Sequence, residues 1–364
     1  MKVIYSARST TLVPGEPMKS ASVVDLFCGI GGLSYGFVKE GFNVIAGVDS
    51  DASCKFAFEA NTAAQFLHHD VELVSSASIR KLFSPRSTRV LIGCAPCSPF
   101  SRYTITKTGY KHEKWALLRS FAELVKQTNP HVVSMENVLA LERYGIYHEF
   151  KSALEYAGYH VNCYRVRCAD YGVPQTRKRL VLFASKYGEV EIVKATHLHK
   201  PKTVRTVIGH LPPIGPGEAS ERDRIHLSRK LTDVNLRRIK ATPAAGGWED
   251  WDEELILKCH KKKKGRSYRS VYGRMSWDEL APTITTQCVG LGNGRFGHPE
   301  QNRAISVREA ALLQTFPVNY RFVEPTQRVK CDVLARHIGN AVPVRLGVII
   351  ARSIKKHLQR YGQI

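Results

Sequence analysis

The stretch Ser22-Val23-Val24-Asp25-Leu26-Phe27-Cys28-Gly29-Ile30-Gly31-Gly32-Leu33 reads as a short buried strand running into a glycine-rich turn. Glycines let the backbone take positive φ and approach a ligand, and the following helix offers the unpaired N–H groups of its N-terminus. The spacing departs from the G-x-G-x-x-G of dinucleotide enzymes, because serine stands at position 34. Support for a cofactor turn comes from Asp49, at the end of the next strand-like run, where an acid can accept from a ribose diol. Asp70 follows the apolar Phe66-Leu67 and is placed to receive an adenine amino group. The bland alternative is two surface acids on loops.

Outward from this turn, apolar runs at 22–27, 43–48, 90–94, 131–135, 160–167 and 179–184 alternate with segments of helical spacing. The helical segments are Leu33–Glu40, Ala52–Asn61, Leu117–Thr128 and His148–Ala157. Such alternation indicates an α/β fold with a parallel-type sheet covered on both faces, and ligands at the carboxyl ends of its strands. Two further side chains fall at those ends. Cys97 follows Val90-Leu91-Ile92 in the run Gly93-Cys94-Ala95-Pro96-Cys97-Ser98-Pro99, where a nucleophile would stand. Taken alone, it is as readily a small buried hydrophobe. Glu136 follows Val132–Met135; a buried carboxylate there needs a partner, and burial favours the protonated form that can donate to a ring nitrogen.

Gln175-Thr176-Arg177-Lys178-Arg179 leads into the run at 179–184. In an extended segment Gln175, Arg177 and Arg179 share a face, and two guanidinium groups there suit a carboxylate, a phosphate or a ring carbonyl. A solvated basic edge strand is the competing reading.

Composition narrows the partner. Lys plus Arg outnumber Asp plus Glu by 54 to 32, giving a formal charge of +22, which fits a polyanion better than a small neutral metabolite. Nine cysteines form no disulfide framework. Cys94-x-x-Cys97 lacks the second pair of a zinc site, so no metal is expected, and the pair reads as coincidence. Reduced thiols, no stretch approaching a membrane span and no signal sequence point to a cytoplasmic protein. The 364 residues suffice for roughly two domains at about 150 residues each. We read residues 1–21 as an arm, 22–195 as a catalytic and cofactor domain, 196–322 as a smaller irregular domain, and 323–364 as a segment returning to the first. Basic runs at Arg222–Lys240 and Lys258–Arg274 belong to the irregular part, and Val342–Lys356 has helical pattern.

The ordered set of Asp25–Gly32, Pro96-Cys97, Glu136-Asn137-Val138, Gln175–Arg179, Arg303–Pro317 and Ile338-Gly339-Asn340-Ala341-Val342-Pro343 resembles the DNA (cytosine-5-)-methyltransferase family of bacterial restriction–modification type. The resemblance covers most of 22–185 and 303–350. It implies the Rossmann-like mixed sheet of S-adenosylmethionine-dependent methyltransferases, S-adenosylmethionine as cofactor, and a cytosine flipped out of double-stranded DNA as acceptor. By that likeness Phe27, Gly29, Gly31, Leu33, Asp49, Asp70, Val71, Pro96, Leu117, Asn340 and Val342 hold the cofactor. Cys97 attacks cytosine C6, Glu136 binds N3 and the exocyclic amine, Arg179 holds O2, and Arg177 orients the catalytic loop.

Ser98 stands where many members have glutamine, Asp49 where glutamate is commoner, and Ser50 where a large side chain is frequent. The segment from Ser98 through Arg102 to about Lys114 is expected to close over DNA. Residues 196–322 become a target-recognition domain, with Lys261, Lys262, Lys263 and Arg274 for phosphates and Thr285 and Thr286 for the major groove. The implied setting is a monomer in the bacterial cytoplasm or nucleoid, with a separately acting cognate endonuclease. An RNA (tRNA) cytosine-5 methyltransferase and a non-catalytic DNA-binding relative are the rival readings. A nicotinamide dehydrogenase has the wrong glycine spacing and no use for Pro96-Cys97.

Overall fold

The computed structural model describes residues 21–96 and 113–364. Residues 1–20 of the expected arm, and Cys97, Ser98 and Arg102, lie outside the described residues. β1 (Ala21–Leu26) leads into α1 (Gly32–Lys39), then β2 (Asn43–Asp49), α2 (Lys55–Thr62), β3 (Gln65–His68), α3 (Ser76–Leu82) and β4 (Thr88–Gly93). α4 (Glu113–Thr128), β5 (Val132–Asn137), α5 (Gly145–Tyr156), β6 (His160–Arg167) and β7 (Lys178–Ser185) follow.

All seven strands form one sheet in the order β3-β2-β1-β4-β5-β7-β6. Neighbours from β3 to β5 are parallel, whereas β7 runs antiparallel to both β5 and β6. The short link between β6 and β7 cannot make the crossover a parallel return requires, so the sheet is mixed. β7 is an interior strand. The edge-strand alternative for Arg177–Arg179 is thereby corrected: the edge falls to β6, where only Val166 is fully buried.

Side-chain alternation builds the two halves of the core. Val23, Val90, Ile92, Val132, Val181 and Phe183 face α1 and the C-terminal helices. Val24, Leu26, Leu91, Val133, Met135, Leu180 and Leu182 face α4 and α5, where they meet Phe121, Leu124, Phe150 and Leu154. The sequence reading assigned neither β3 nor α3 as an element. β3 is only four residues long, and α3 buries only Ile79, so neither carries a long periodic signal.

Beyond residue 196 the elements are short: α6 (Val204–Ile208), β8 (Ala219–Ser220), β9 (Asp223–Leu227), α7 (Asp233–Ala241) and α8 (Lys258–Lys261). They are held by small clusters, one around Ile239 and Leu291 and one around Trp248, Trp251 and Leu255. α9 (Val307–Leu313), α10 (Cys331–Asn340) and α11 (Val344–Arg360) pack back toward the sheet. α9 starts on a reciprocal cap between Ser306 and Glu309, and the Glu309 carboxylate also takes both terminal nitrogens of buried Arg303 at 2.7 Å. The Tyr320 hydroxyl donates to the Ile30 carbonyl, tying this segment to the glycine-rich turn.

α1 and α11 touch through glycines. A Cβ on Gly36 would lie 2.4 Å from the Gly347 carbonyl carbon, and one on Gly32 would lie 2.3 Å from the Val342 carbonyl oxygen. The sequence expectation that nothing approaches membrane-span length needs correction. Cys331–Arg360 passes by length and composition, yet 72% of its apolar window is buried inside the protein, and Ala341–Pro343 divides it into two helices. These are core helices.

Candidate active site

The parallel strands β1, β2, β3, β4 and β5 end on one edge of the sheet, and β7 begins there. Phe27, Gly29 and Gly31 all have positive φ, of 60°, 50° and 83°. The turn is fixed from beneath by two acids. Asp49 accepts from the Gly29 N–H through Oδ2 at 2.8 Å and from the Asp51 N–H through Oδ1 at 2.9 Å. Burial raises its pKa, while those two N–H groups pull the other way. Asp25 is buried in β1, its Oδ2 accepts from the Ser34 hydroxyl at 2.5 Å, and burial pushes its pKa up to about 8.

A Cβ on Gly29 would meet nothing within 4 Å among the described residues, which leave open space over the turn. Gly31 instead faces Phe58 and the Tyr320 hydroxyl, and the Leu33 side chain is packed in the core. Their side-chain directions support the turn from behind, which leaves their main chain to face a ligand. Asp70 lies after β3, with Oδ1 accepting from the Glu72 N–H, and Val71 beside it is buried. Pro96 is exposed after β4, Leu117 is half-buried on α4, and Asn340 is exposed at the end of α10. Val342 is buried against the start of α1.

Asp51, Cys54 and His337 have ligand atoms within 4.8 Å of one another next to this turn. Arg336 already places its Nη2 2.9 Å from Asp51 Oδ2, so a guanidinium supplies the positive charge there.

Strand register assembles the second half of the site. Gly93 pairs with Met135, which brings Cys94 beside Glu136. Glu136 pairs with Val181, and Arg179, two residues away on β7, projects from the same face. The Glu136 side chain is 2% exposed. Cys94 Sγ donates to Oε2 at 2.8 Å, and Arg179 Nε sits 2.8 Å from Oε1. That ion pair is close, but its N–H is not aimed at the oxygen, and Oε1 has no hydrogen-bond donor among the described residues. Asn137 donates to the Ala95 carbonyl at 3.1 Å and so holds the segment leading to Cys97.

Gln175 and Arg177 face inward with Arg179, as the two-residue period predicts, but their partners differ. The Gln175 amide bonds the Leu313 carbonyl, Gln314 and the Ile284 N–H. Arg177 is buried and donates to the Ile284 carbonyl at 3.1 Å and the Ala341 carbonyl at 3.5 Å. Burial, then repulsion from Arg179, pushes its pKa down to about 10, so it stays cationic at neutral pH.

The expected DNA contacts separate into two groups. Lys261, Lys262 and Lys263 are exposed, with Lys261 Nζ 2.9 Å from Glu253. Thr285 and Thr286 are also exposed, and their main chain abuts Gly339 of α10. Arg274 is a correction. It is buried, and its five N–H groups go to the carbonyls of Thr242, His298, Gln301 and Ile239 and to the Asn302 side chain. No donor is left for a phosphate. Sequence reasoning also missed Cys94, although the parallel pairing of its strand with the one carrying Glu136 was the available signal.

The sequence profile of C-5 cytosine-specific DNA methylases matches residues 21–356. The Type II methylase M.HgiDII of Herpetosiphon aurantiacus is 50% identical over 342 residues, covering 93% of this chain and 96% of that protein. The Type II methyltransferase M1.HphI of Haemophilus parahaemolyticus is 31% identical, covering 93% and 87%. Among solved structures, a candidate DNA modification methyltransferase encoded within an E. coli prophage superposes with a TM-score of 0.68 at 22% identity, covering 93% of this chain and all of that one. Spodoptera frugiperda DNMT2 superposes at 0.63 and 15% identity, covering 92% of this chain and 100% of that one. These two likenesses concern the fold. A matching profile over nearly the whole chain and a half-identical relative place it in the C-5 cytosine-specific DNA methylase family, as a DNA (cytosine-5-)-methyltransferase of Type II restriction–modification type.

Proposed function

We propose that this enzyme methylates C5 of a cytosine flipped out of duplex DNA through a covalent bond between Cys97 and C6. The observation that carries this reading is the buried Glu136 carboxylate, braced by Arg179 and Cys94, with Oε1 still lacking a hydrogen-bond donor among the described residues. A cytosine edge offers a matching amine donor beside its N3 acceptor. S-adenosylmethionine supplies the electrophilic methyl group when bound. The open space over Gly29 and the fixed Asp49 carboxylate fit it, with Phe27, Asp70, Val71, Pro96, Leu117, Asn340 and Val342 as the remaining contacts.

Cys97 adds to C6 as thiolate, which makes C5 electron-rich. Glu136 gives N3 a proton and accepts from the exocyclic amine, so that the added electron pair is delocalised without a full negative charge on the ring. Arg179 is the donor for O2. Once C5 has bonded the methyl group, loss of the C5 proton to a base expels Cys97 as thiolate, and return of the N3 proton to Glu136 restores the neutral aromatic ring. Arg177, bonded to Ile284 and Ala341, keeps a positive charge near this chemistry, which favours the thiolate.

Residues 196–322 are assigned to target recognition, with Lys261–Lys263 on phosphates and Thr285 and Thr286 toward the bases. The Type II relatives support a protective role beside a separate endonuclease, and we place the protein as a monomer in the bacterial cytoplasm or nucleoid. The test is methyl incorporation into duplex DNA and into tRNA by wild type and by Cys97→Ala. Label in duplex DNA from wild type alone, with DNA binding retained by the variant, is expected. Label confined to tRNA, or turnover by Cys97→Ala, refutes the proposal.

A further inference from the structure

We propose that Cys94 is a positioning residue for Glu136: its thiol holds one carboxylate oxygen so that the other is presented to the base. This deepens the reading of Glu136 given above and rests on it. The sheet register makes the contact unavoidable, because β4 and β5 are parallel and Gly93 lies opposite Met135, so the next residue on each strand meets its counterpart. Cys94 Sγ then lies 2.8 Å from Oε2, on the side away from Arg179. Arg179 Nε flanks Oε1 at 2.8 Å without aiming its N–H at it.

The carboxylate is therefore held at two points, and rotation about its terminal torsion breaks the thiol bond. Arg179 alone leaves that torsion free, because one poorly aimed ion pair constrains distance rather than orientation. A cysteine that only filled space beside β5 would leave that torsion unconstrained.

The experiment uses the full-length enzyme, duplex DNA and S-adenosylmethionine, with Cys94→Ala, Cys94→Ser, Glu136→Gln and wild type compared for kcat and KM. Loss of a hydrogen bond to a charged group predicts a drop in kcat of about 10-fold for Cys94→Ala. The KM for S-adenosylmethionine should be unchanged. Cys94→Ser, which keeps an O–H donor, should recover most of the loss. Equal kcat in Cys94→Ala, while Glu136→Gln is impaired, overturns the role of Cys94 alone. Failure of Cys94→Ser to rescue a slow, folded Cys94→Ala also overturns it, since the defect is then one of packing. If Glu136→Gln keeps full activity, the reading of Glu136 itself falls. Circular dichroism and Tm on each variant separate these outcomes from misfolding.

Discussion

Gly36→Ala tests whether the cofactor turn depends on close contact between α1 and α11. The added methyl would sit 2.4 Å from the Gly347 carbonyl carbon, 2.5 Å from Val348 N and 2.7 Å from Gly347 Cα. Carbon atoms pack best at about 3.5–4.0 Å, so the helices must part by roughly 1 Å. The obstacle is main chain and cannot swing aside. Overpacking costs roughly 1–3 kcal/mol where side chains can adjust, and rigid backbone puts this site at or above the upper end. Alanine's helix propensity returns about 1 kcal/mol. A net loss of about 2–3 kcal/mol corresponds to a Tm lower by about 4–8 °C.

Gly145→Ala is the matched control, since a Cβ there at the first residue of α5 meets nothing within 4 Å among the described residues. It should be neutral or raise stability by up to about 1 kcal/mol. Because α1 starts at the turn holding Gly29, and Gly32 abuts Val342, Gly36→Ala should also weaken S-adenosylmethionine binding measured by calorimetry. An unchanged Tm and affinity in Gly36→Ala, or an equal loss in Gly145→Ala, would refute the argument.

Stability should fall on both sides of neutral pH. Burial pushes the pKa of His131 and of His298 down to about 4, so their contribution is present above about 6.5 and is lost as pH falls toward 4. Asp25 has the opposite sign: its raised pKa of about 8 means that stability declines as pH rises from about 4 to 8. In urea titrations Asp25→Asn should flatten the decline between pH 6.5 and 8, and an undiminished decline would mean that Asp25 is not its source. For DNA, replacing Lys261, Lys262 and Lys263 by Gln should reduce the slope of log affinity against log salt, by about 0.9 for each phosphate that is no longer neutralised. Arg274→Ala should instead lower Tm with little change of slope, and the reverse pattern would return Arg274 to the DNA surface.

The sequence is informative wherever a residue's neighbours are set by strand period. Glu136 and Arg179 are legible because alternation puts them on inward faces at the ligand end of the sheet, and the structure brings them together. Arg274 is misread because a basic stretch in one dimension does not reveal a guanidinium folded beneath its own loop, with every donor taken by carbonyls. Cys94 escapes notice for a related reason: a Cys-x-x-Cys pattern draws the eye along the chain, while its partner lies across the sheet. The face of Gly31 is equally hidden, since a glycine carries no side chain by which to read direction.

In the docking of 281–284 on the segment leading into β7, residues 281–284 use only main-chain groups for these hydrogen bonds. The Thr176 N–H donates to the Ala281 carbonyl, the Ala281 N–H to the Pro174 carbonyl, and Gln175 and Arg177 take the N–H and carbonyl of Ile284. Peptide groups are common to all residues, so these bonds ask for Gln175 and Arg177 on one side and for no particular hydrogen-bonding side chain at 281–284 on the other. Sequence between residues 196 and 280 can change without touching these four bonds, and the exit at 281–284 keeps its seat against Gln175 and Arg177. With residues 196–322 assigned to target recognition as proposed above, one reading surface can replace another while this joint stays as it is.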